Sequence, residues 1–161
     1  MTQSAITLAF GDGEYTFRLG IAQIEELQRK CGVGIGGLCA RLLKGRYQIA
    51  GLPIGTPNEA EFFLADVVEP IRQGLIGGNE GVVDGVQIAV STVRANQLIE
   101  AYVLPPRPLA DAWTLSAAIV GALIAGYSPP KKAEPPVAAA PKTRRAKKAG
   151  STMPEPLSTA P

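Results

Sequence analysis

Two glycine-rich stretches have glycine spacings that resemble those of nucleotide-binding motifs. The first, "IRQGLIGGNEG", occupies residues 71–81. A phosphate-binding P-loop requires GxxxxGK[ST], in which lysine reaches the phosphates and the hydroxyl holds magnesium. Here Asn79 and Glu80 follow the glycines, and a carboxylate at that point would repel phosphate. The stretch also closes an apolar helical pattern, whereas a P-loop opens a helix, so we predict a helix end without bound phosphate.

The glycines of this stretch then have structural roles. We predict that Gly74 permits the close approach of another helix, because glycine in a helix interior otherwise costs about 1 kcal/mol relative to alanine. We predict that Gly77 or Gly78 caps the helix in the left-handed conformation that satisfies the last carbonyl groups.

The second stretch, "GVGIGG" at residues 32–37, matches the GxGxxG pattern of dinucleotide-binding proteins. That pattern requires a preceding strand within an alternating βαβ unit. Here it follows a helical pattern, and no parallel-strand pattern comes later. A connector between two helices is therefore favoured, and no cofactor is expected.

Residue types that commonly support catalysis are scarce. The chain has no histidine, which excludes Ser-His-Asp and Cys-His arrangements and the commonest metal ligand. Its two cysteines, Cys31 and Cys39, match no zinc spacing, and two thiolates cannot complete a four-ligand site. The pairs Glu25/Glu26 and Glu59/Glu61 lie on polar faces. We expect no catalytic residue, no metal site and no enzymatic activity.

The pattern of elements predicts an α+β fold that is mainly helical. Alternating apolar residues over 5–19, with a turn at Asp12-Gly13, predict a β-hairpin. Helices are predicted over 21–31 and 35–44, ended by Gly32 and Gly45.

Three more helices are predicted from capping signals. Thr56, Pro57 and Glu59 resemble a helix start, and Pro70 should kink or split that helix. The pair Asp84/Gln87 would begin a helix of about 85–103, and a last helix spans about 108–126. Residues 51–57 are interpreted as a loop. The prediction is an N-terminal β-hairpin on a compact bundle of four to five helices.

Composition divides the chain at residue 127. Residues 128–161 hold seven basic and two acidic side chains, a net charge of +5, which leaves −3 for residues 1–127. The later segment is rich in Pro, Ala and Lys and is predicted to be a disordered tail. Its basic run "KTRRAKK" (142–148) could keep the chain soluble, contact nucleic acid or contact a protein; nucleic acid is disfavoured because no aromatic residues are interleaved.

No segment predicts contact with a membrane. The first 17 residues lack a basic region and a long apolar region, so no secretion signal is expected. The uncharged run 112–127 is shorter than the roughly 20 residues that span a bilayer and is interpreted as a buried helix.

Several blocks together resemble the phage tail assembly chaperone family of the gene-transfer-agent type. They are "IEELQRKCGVG", "IRQGLIGG", the "YV…RPL" junction at 102–109 and the small-residue helix ending "GALIAG", and the resemblance covers roughly residues 5–127. Residues 48–64 form a longer segment than this family's pattern has.

The resemblance implies a non-enzymatic protein that binds the tape measure protein and recruits tail tube subunits, with self-association possible. It implies residence in the cytoplasm of the bacterial host and absence from the mature particle. Alternatives are a structural tail component retained in the particle and a nucleic-acid-binding module that uses the basic tail. The expected partner surface comprises six residues: Arg72, Leu75, Ile76, Tyr102, Leu109 and Trp113.

Overall fold

The computed structural model describes residues 3–49 and 52–128 of the protein. The predicted tail therefore lies outside the described residues, apart from Ser128. The described part contains six strands and five α-helices: β1 (Ile6–Phe10), β2 (Gly13–Phe17), α1 (Ile21–Cys31), α2 (Ile35–Leu43), β3 (Arg46–Ile49), β4 (Leu52–Gly55), α3 (Leu64–Gly78), β5 (Glu80–Val83), β6 (Val86–Ile88), α4 (Thr92–Tyr102) and α5 (Leu109–Ala125). The predicted fold class, α+β and mainly helical, is confirmed.

The first hairpin belongs to a four-stranded antiparallel sheet of order β1-β2-β5-β6. Phe10 pairs with Gly13, so the two-residue turn is Gly11-Asp12 and not the predicted Asp12-Gly13. Only Gly11 of these two has a positive φ, 60°, which fits a turn with glycine at its first central position. Tyr15 and Phe17 point from β2 into the core and are fully buried.

The second hairpin replaces the predicted start of a long helix. Asp84 and Gly85 have φ values of 49° and 77°, as a type I′ turn requires, and they join β5 to β6. The prediction that Asp84 and Gln87 cap a helix is therefore wrong. Helix α4 begins eight residues after Asp84, where the Ser91 hydroxyl accepts a hydrogen bond from the Arg94 N–H at 3.2 Å.

The other helix boundaries differ less from the predictions. Gly32, with φ 63°, ends α1, and α5 runs from Leu109 to Ala125, as the prolines and Gly126 indicate. Helix α3 begins at Leu64, well after Pro57, which lies in a short 3₁₀ turn. Pro70 neither splits nor ends α3. Strands β3 and β4 form a second, two-stranded sheet, and β4 lies within residues 51–57, where a loop was predicted.

Helix α3 is the centre of the packing, since it contacts α1, α4, α5 and β2. Its apolar residues Val67, Ile71 and Leu75 are fully buried. The buried Asp66 carboxylate accepts a hydrogen bond from the Phe63 N–H at 2.9 Å, which satisfies one free donor at the start of α3. The packing of these elements around α3 therefore determines which of its polar side chains remain exposed to solvent.

The glycines of α3 form a contact with the sheet rather than a helix cap. A Cβ atom at Gly77 would lie 2.1 Å from the Arg18 carbonyl oxygen, and one at Gly78 would lie 1.8 Å from the Thr16 carbonyl oxygen. Both distances are far inside van der Waals contact. Asn79, with φ 52°, takes the left-handed position that was predicted for Gly77 or Gly78. The prediction of these two glycines as caps is therefore wrong, because the backbone of β2 and of Arg18 passes directly over them.

Gly74 also lies where other elements approach α3 closely. The prediction named a helix, and the structure shows both a helix and a strand. A Cβ atom there would be 3.2 Å from Phe17 Cδ1 and 3.5 Å from Ile119 Cγ2 of α5. The Gly74 carbonyl also accepts a hydrogen bond from the Arg18 N–H at 3.0 Å. We call Gly74, Gly77 and Gly78 the glycine seam.

Candidate functional site

The six residues expected to bind a partner do not form one surface. Leu75 is fully buried in the core, so its side chain offers no contact area to a partner. The other five line three separate depressions, as follows: Arg72 and Ile76 in the first, Tyr102 in the second, Leu109 and Trp113 in the third. Their role in binding stays a prediction.

The third depression, of about 330 Å³, is lined by aromatic side chains that already have contacts of their own. Trp113 is only 4% exposed, and its Nε1–H donates to the Leu42 carbonyl at 2.8 Å. Phe62 packs against the indole with ring centroids 4.9 Å apart, and Arg46 covers it at 5.0 Å. Trp113 is therefore a core residue, since its ring is packed and its N–H already has a hydrogen-bond acceptor.

The second depression, of about 320 Å³, lies where β1 ends beside the first turns of α5. Phe10 and Tyr102 meet edge to face at 6.1 Å, and the Arg107 guanidinium lies 5.2 Å from the Tyr102 ring. At the other end of β1, Gln3 and Tyr127 exchange backbone hydrogen bonds of 3.0 and 2.7 Å. The two ends of α5 therefore lie near the two ends of β1.

Strand β1 has a free edge. Because Phe10 and Gly13 close a two-residue hairpin, Phe10, Leu8 and Ile6 direct their backbone groups toward β2. Thr7 and Ala9 direct theirs away from the sheet, and within residues 3–49 and 52–128 these groups have no hydrogen-bond partner. The strand carries no charge, proline or bulge, features that commonly protect an edge from pairing. It can therefore accept an added strand.

The first depression, which we call the α1–α3–α4 groove, is the largest of the three, at about 510 Å³. Helix α3 forms its floor, and α1 and α4 form its walls. Nine residues line it: Glu26 and Lys30 from α1, Arg72, Gln73 and Ile76 from α3, Thr92, Asn96 and Glu100 from α4, and Leu104 after α4. Seven of the nine side chains are polar or charged, so the groove is suited to a polar ligand.

A chain of ion pairs crosses one side of the groove. The Arg72 Nη1–H donates to Glu69 Oε1, and Lys30 Nζ lies 3.2 Å from Glu69 Oε2. The second contact is an ion pair without a hydrogen bond, so Glu69 Oε2 is buried without a hydrogen-bond partner among the described residues. Arg72 Nε is likewise buried without one. Glu26 is shared between Arg29 and Lys30, and its hydrogen bond from Arg29 lowers the pKa of the carboxyl.

Gln73 is the polar residue of the groove that sequence reasoning missed. It is 7% exposed, and its side-chain amide forms no hydrogen bond with any residue that the structure describes. Asn96 and Glu100 were missed as well, although Thr92, Asn96 and Glu100 recur every four residues and so share one face of α4. That spacing was the available signal.

Other kinds of site find no support in the described ranges. They contain no group of three side chains arranged to hold a metal ion. None of their helices is long and apolar enough to cross a membrane. Residues 142–148, the predicted basic contact, lie outside them.

Comparison with known proteins gives one match. Residues 3–53 match a family described as "Phage tail tube protein, GTA-gp10", where GTA denotes a gene transfer agent. The match covers β1, β2, α1, α2, β3 and the start of β4. This chain is related to phage and gene-transfer-agent tail proteins. Neither a curated protein nor a solved structure gives a significant match.

The match corrects two expectations. The matching family is described as a tail tube protein, a structural part of the tail, so the interpretation as an assembly chaperone is wrong. For the same reason, the expected absence from the mature particle is wrong, because a tube protein is a component of the particle. The relation to phage and gene-transfer-agent tails is confirmed.

Proposed function

We propose that this chain is a structural component of a phage or gene-transfer-agent tail that is retained in the finished particle. The match of residues 3–53 to a tail tube family carries the proposal. The role is not enzymatic, and the chain acts through contacts with other tail subunits. The tape measure protein, which the sequence resemblance implies as a partner, is one candidate neighbour.

The free edge of β1 supports this proposal, because it lies within the matched residues. A strand from a neighbouring tail subunit would pair with the Thr7 and Ala9 backbone groups and gain its hydrogen bonds without disturbing β2. The second depression lies beside the end of β1, where it can receive a side chain of the added strand.

Mass spectrometry of purified particles tests retention. Particles are separated from lysate on a density gradient, and the amount of this chain is compared with that of the other tail proteins. We expect it in intact particles in a fixed ratio to the other tail proteins. Its presence in the lysate together with absence from intact particles would refute the proposal.

Replacement of one edge residue tests the contact. Ala9→Pro removes an N–H that has no partner in the described fold, so the isolated protein should keep its structure. The same change should block strand addition and lower incorporation into particles at least tenfold. Ala9→Val, which keeps the N–H, is the matched control. Equal incorporation of both variants would argue against pairing at β1.

A further inference from the structure

The free backbone groups of β1 form a set that an identical strand can satisfy. Thr7 and Ala9 lie on either side of Leu8, and their N–H and C=O groups point away from β2. If a second β1 lies antiparallel about a twofold axis at Leu8, Thr7 of each copy faces Ala9 of the other. Each facing pair then exchanges two hydrogen bonds, so none of these groups remains free on either strand.

A side-chain contact supports this direction of the backbone groups. Thr7 Oγ1 lies 2.9 Å from Oγ1 of its cross-strand neighbour Thr16. Side chains approach most closely at positions where the two facing residues exchange no backbone hydrogen bonds. The contact therefore agrees with a Thr7 backbone that is turned away from β2 and available to another strand.

The side chains of β1 are compatible with pairing to a second copy. Thr7 and Ala9 are exposed, small and uncharged, so they can face each other without charge repulsion. Leu8 is partly buried on the opposite face of the strand. In the paired arrangement its Cα would lie about 4.5 Å from that of Leu8 in the other copy, close enough for their side chains to touch. Pairing would therefore also cover apolar surface.

The opposite edge of the sheet is a poorer match for β1. Strand β6 closes its hairpin at Val83 and Val86, so Val86 and Ile88 direct their backbone groups toward β5. Among the three residues of β6, only Gln87 directs its groups outward. Pairing of β1 with β6 of another copy would therefore leave one of the two free β1 residues without a partner in that strand. A second β1 satisfies both.

We propose that two copies of this chain pair through their β1 strands, antiparallel and centred on Leu8. Their four-stranded sheets then join into one continuous sheet. The inference rests on the proposed function, in which β1 meets a neighbouring subunit, and it identifies that neighbour as a second copy and the contacting strand as its β1. Each copy contributes one short strand, so we expect a weak association that depends on concentration.

Analytical ultracentrifugation of the full chain over a range of concentrations tests the pairing. We expect an equilibrium between monomer and dimer. Ala9→Pro removes an N–H that the dimer uses and should weaken dimerisation at least tenfold, whereas Ala9→Val keeps the N–H and should retain it. Far-UV circular dichroism verifies that both variants are folded. The proposal is overturned by a wild-type chain that is monomeric at every concentration, by growth beyond dimers, or by equal dimerisation of the two variants.

Disulfide cross-linking tests which residues face each other. The native cysteines are removed by Cys31→Ala and Cys39→Ala, and Thr7→Cys and Ala9→Cys are then made as separate proteins and mixed under oxidising conditions. Thr7 and Ala9 of the other copy would have Cα atoms about 5.5 Å apart, inside the disulfide range of about 4.4–6.8 Å. Two copies of Thr7 would be diagonal neighbours at about 7–8 Å, outside it.

We therefore expect a covalent dimer from the mixture and much less from either protein alone. Cross-linking of the Thr7→Cys protein alone, at the level of the mixture, would overturn the arrangement centred on Leu8. Absence of a cross-link in the mixture would overturn it as well.

Failure of the pairing and failure of the proposed function can be told apart, because only the second is measured on particles. A dimer in solution together with absence from intact particles would refute retention and leave the pairing standing. A monomeric chain whose incorporation falls with Ala9→Pro, and not with Ala9→Val, would keep the β1 contact within the particle and overturn pairing between two copies.

Discussion

Replacement of glycine by alanine at two positions, one inside the glycine seam and one outside it, tests whether the seam is a close contact. Gly78 and Gly121 both have helical conformations without positive φ, in α3 and α5 respectively. A Cβ atom at Gly121 would meet no atom within 4 Å, whereas one at Gly78 would lie 1.8 Å from the Thr16 carbonyl oxygen. The change to alanine is chemically identical at the two positions, so any difference in stability comes from the surroundings.

The expected magnitudes have opposite signs. At Gly121, alanine should raise the free energy of unfolding by about 0.5–1 kcal/mol, because glycine loses more backbone entropy in a helix. At Gly78, the helix and β2 must separate by about 1.2 Å to restore a contact of about 3.0 Å. Because β2 carries the buried Tyr15 and Phe17, this overpacking should cost about 2–4 kcal/mol, more than the gain in helix propensity.

Urea denaturation, monitored by far-UV circular dichroism, measures both variants against the wild type. Gly74→Ala gives an intermediate point, since its Cβ would lie 3.2 Å from Phe17 Cδ1, a much less severe overlap than at Gly78. We expect the order Gly121→Ala, wild type, Gly74→Ala, Gly78→Ala from most to least stable, with Gly74→Ala within about 1 kcal/mol of the wild type. A Gly78→Ala protein as stable as Gly121→Ala would show that the seam is not a close contact.

Three further predictions concern other contacts of the fold. Trp113→Phe leaves the buried Leu42 carbonyl without its donor and should lower the free energy of unfolding by about 1–3 kcal/mol, measured by urea denaturation. Ser91→Ala removes the cap of α4 and should cost about 1 kcal/mol in the same assay, whereas Ser91→Asp should retain most of the stability. Burial, with the nearby Asp66 carboxylate, raises the pKa of the Cys31 thiol to about 12. Its alkylation at pH 8 should therefore be on the order of a thousandfold slower than that of a free cysteine, as peptide mapping over time can measure.

The sequence predicted those elements whose signals are local. The first hairpin, α1, α2 and α5 have periodic apolar residues and nearby glycine or proline boundaries. The second hairpin was missed because Asp84 and Gln87 satisfy a helix-capping pattern while Asp84-Gly85 also satisfies a type I′ turn. The choice between them is made by pairing of β5 with β2, a strand about 65 residues earlier, and no local pattern contains that contact.

The same limit applies to the candidate site. Arg72 and Ile76 were predicted to meet a partner, and both line the groove. Gln73 next to them has no distinguishing motif, and a glutamine between apolar helix positions ordinarily faces water. The burial of Gln73 depends on the packing of other elements around α3, which no local pattern contains.

The groove and the glycine seam are properties of one helix. The seam holds α3 against β2, and Arg72, Gln73 and Ile76 of the same helix form the floor of the groove between α1 and α4. Since the walls are separate helices, their distance from Gln73 depends on how deeply α3 sits against the sheet. The glycines that first suggested phosphate binding are therefore packing residues that fix how closely α3 lies against the sheet.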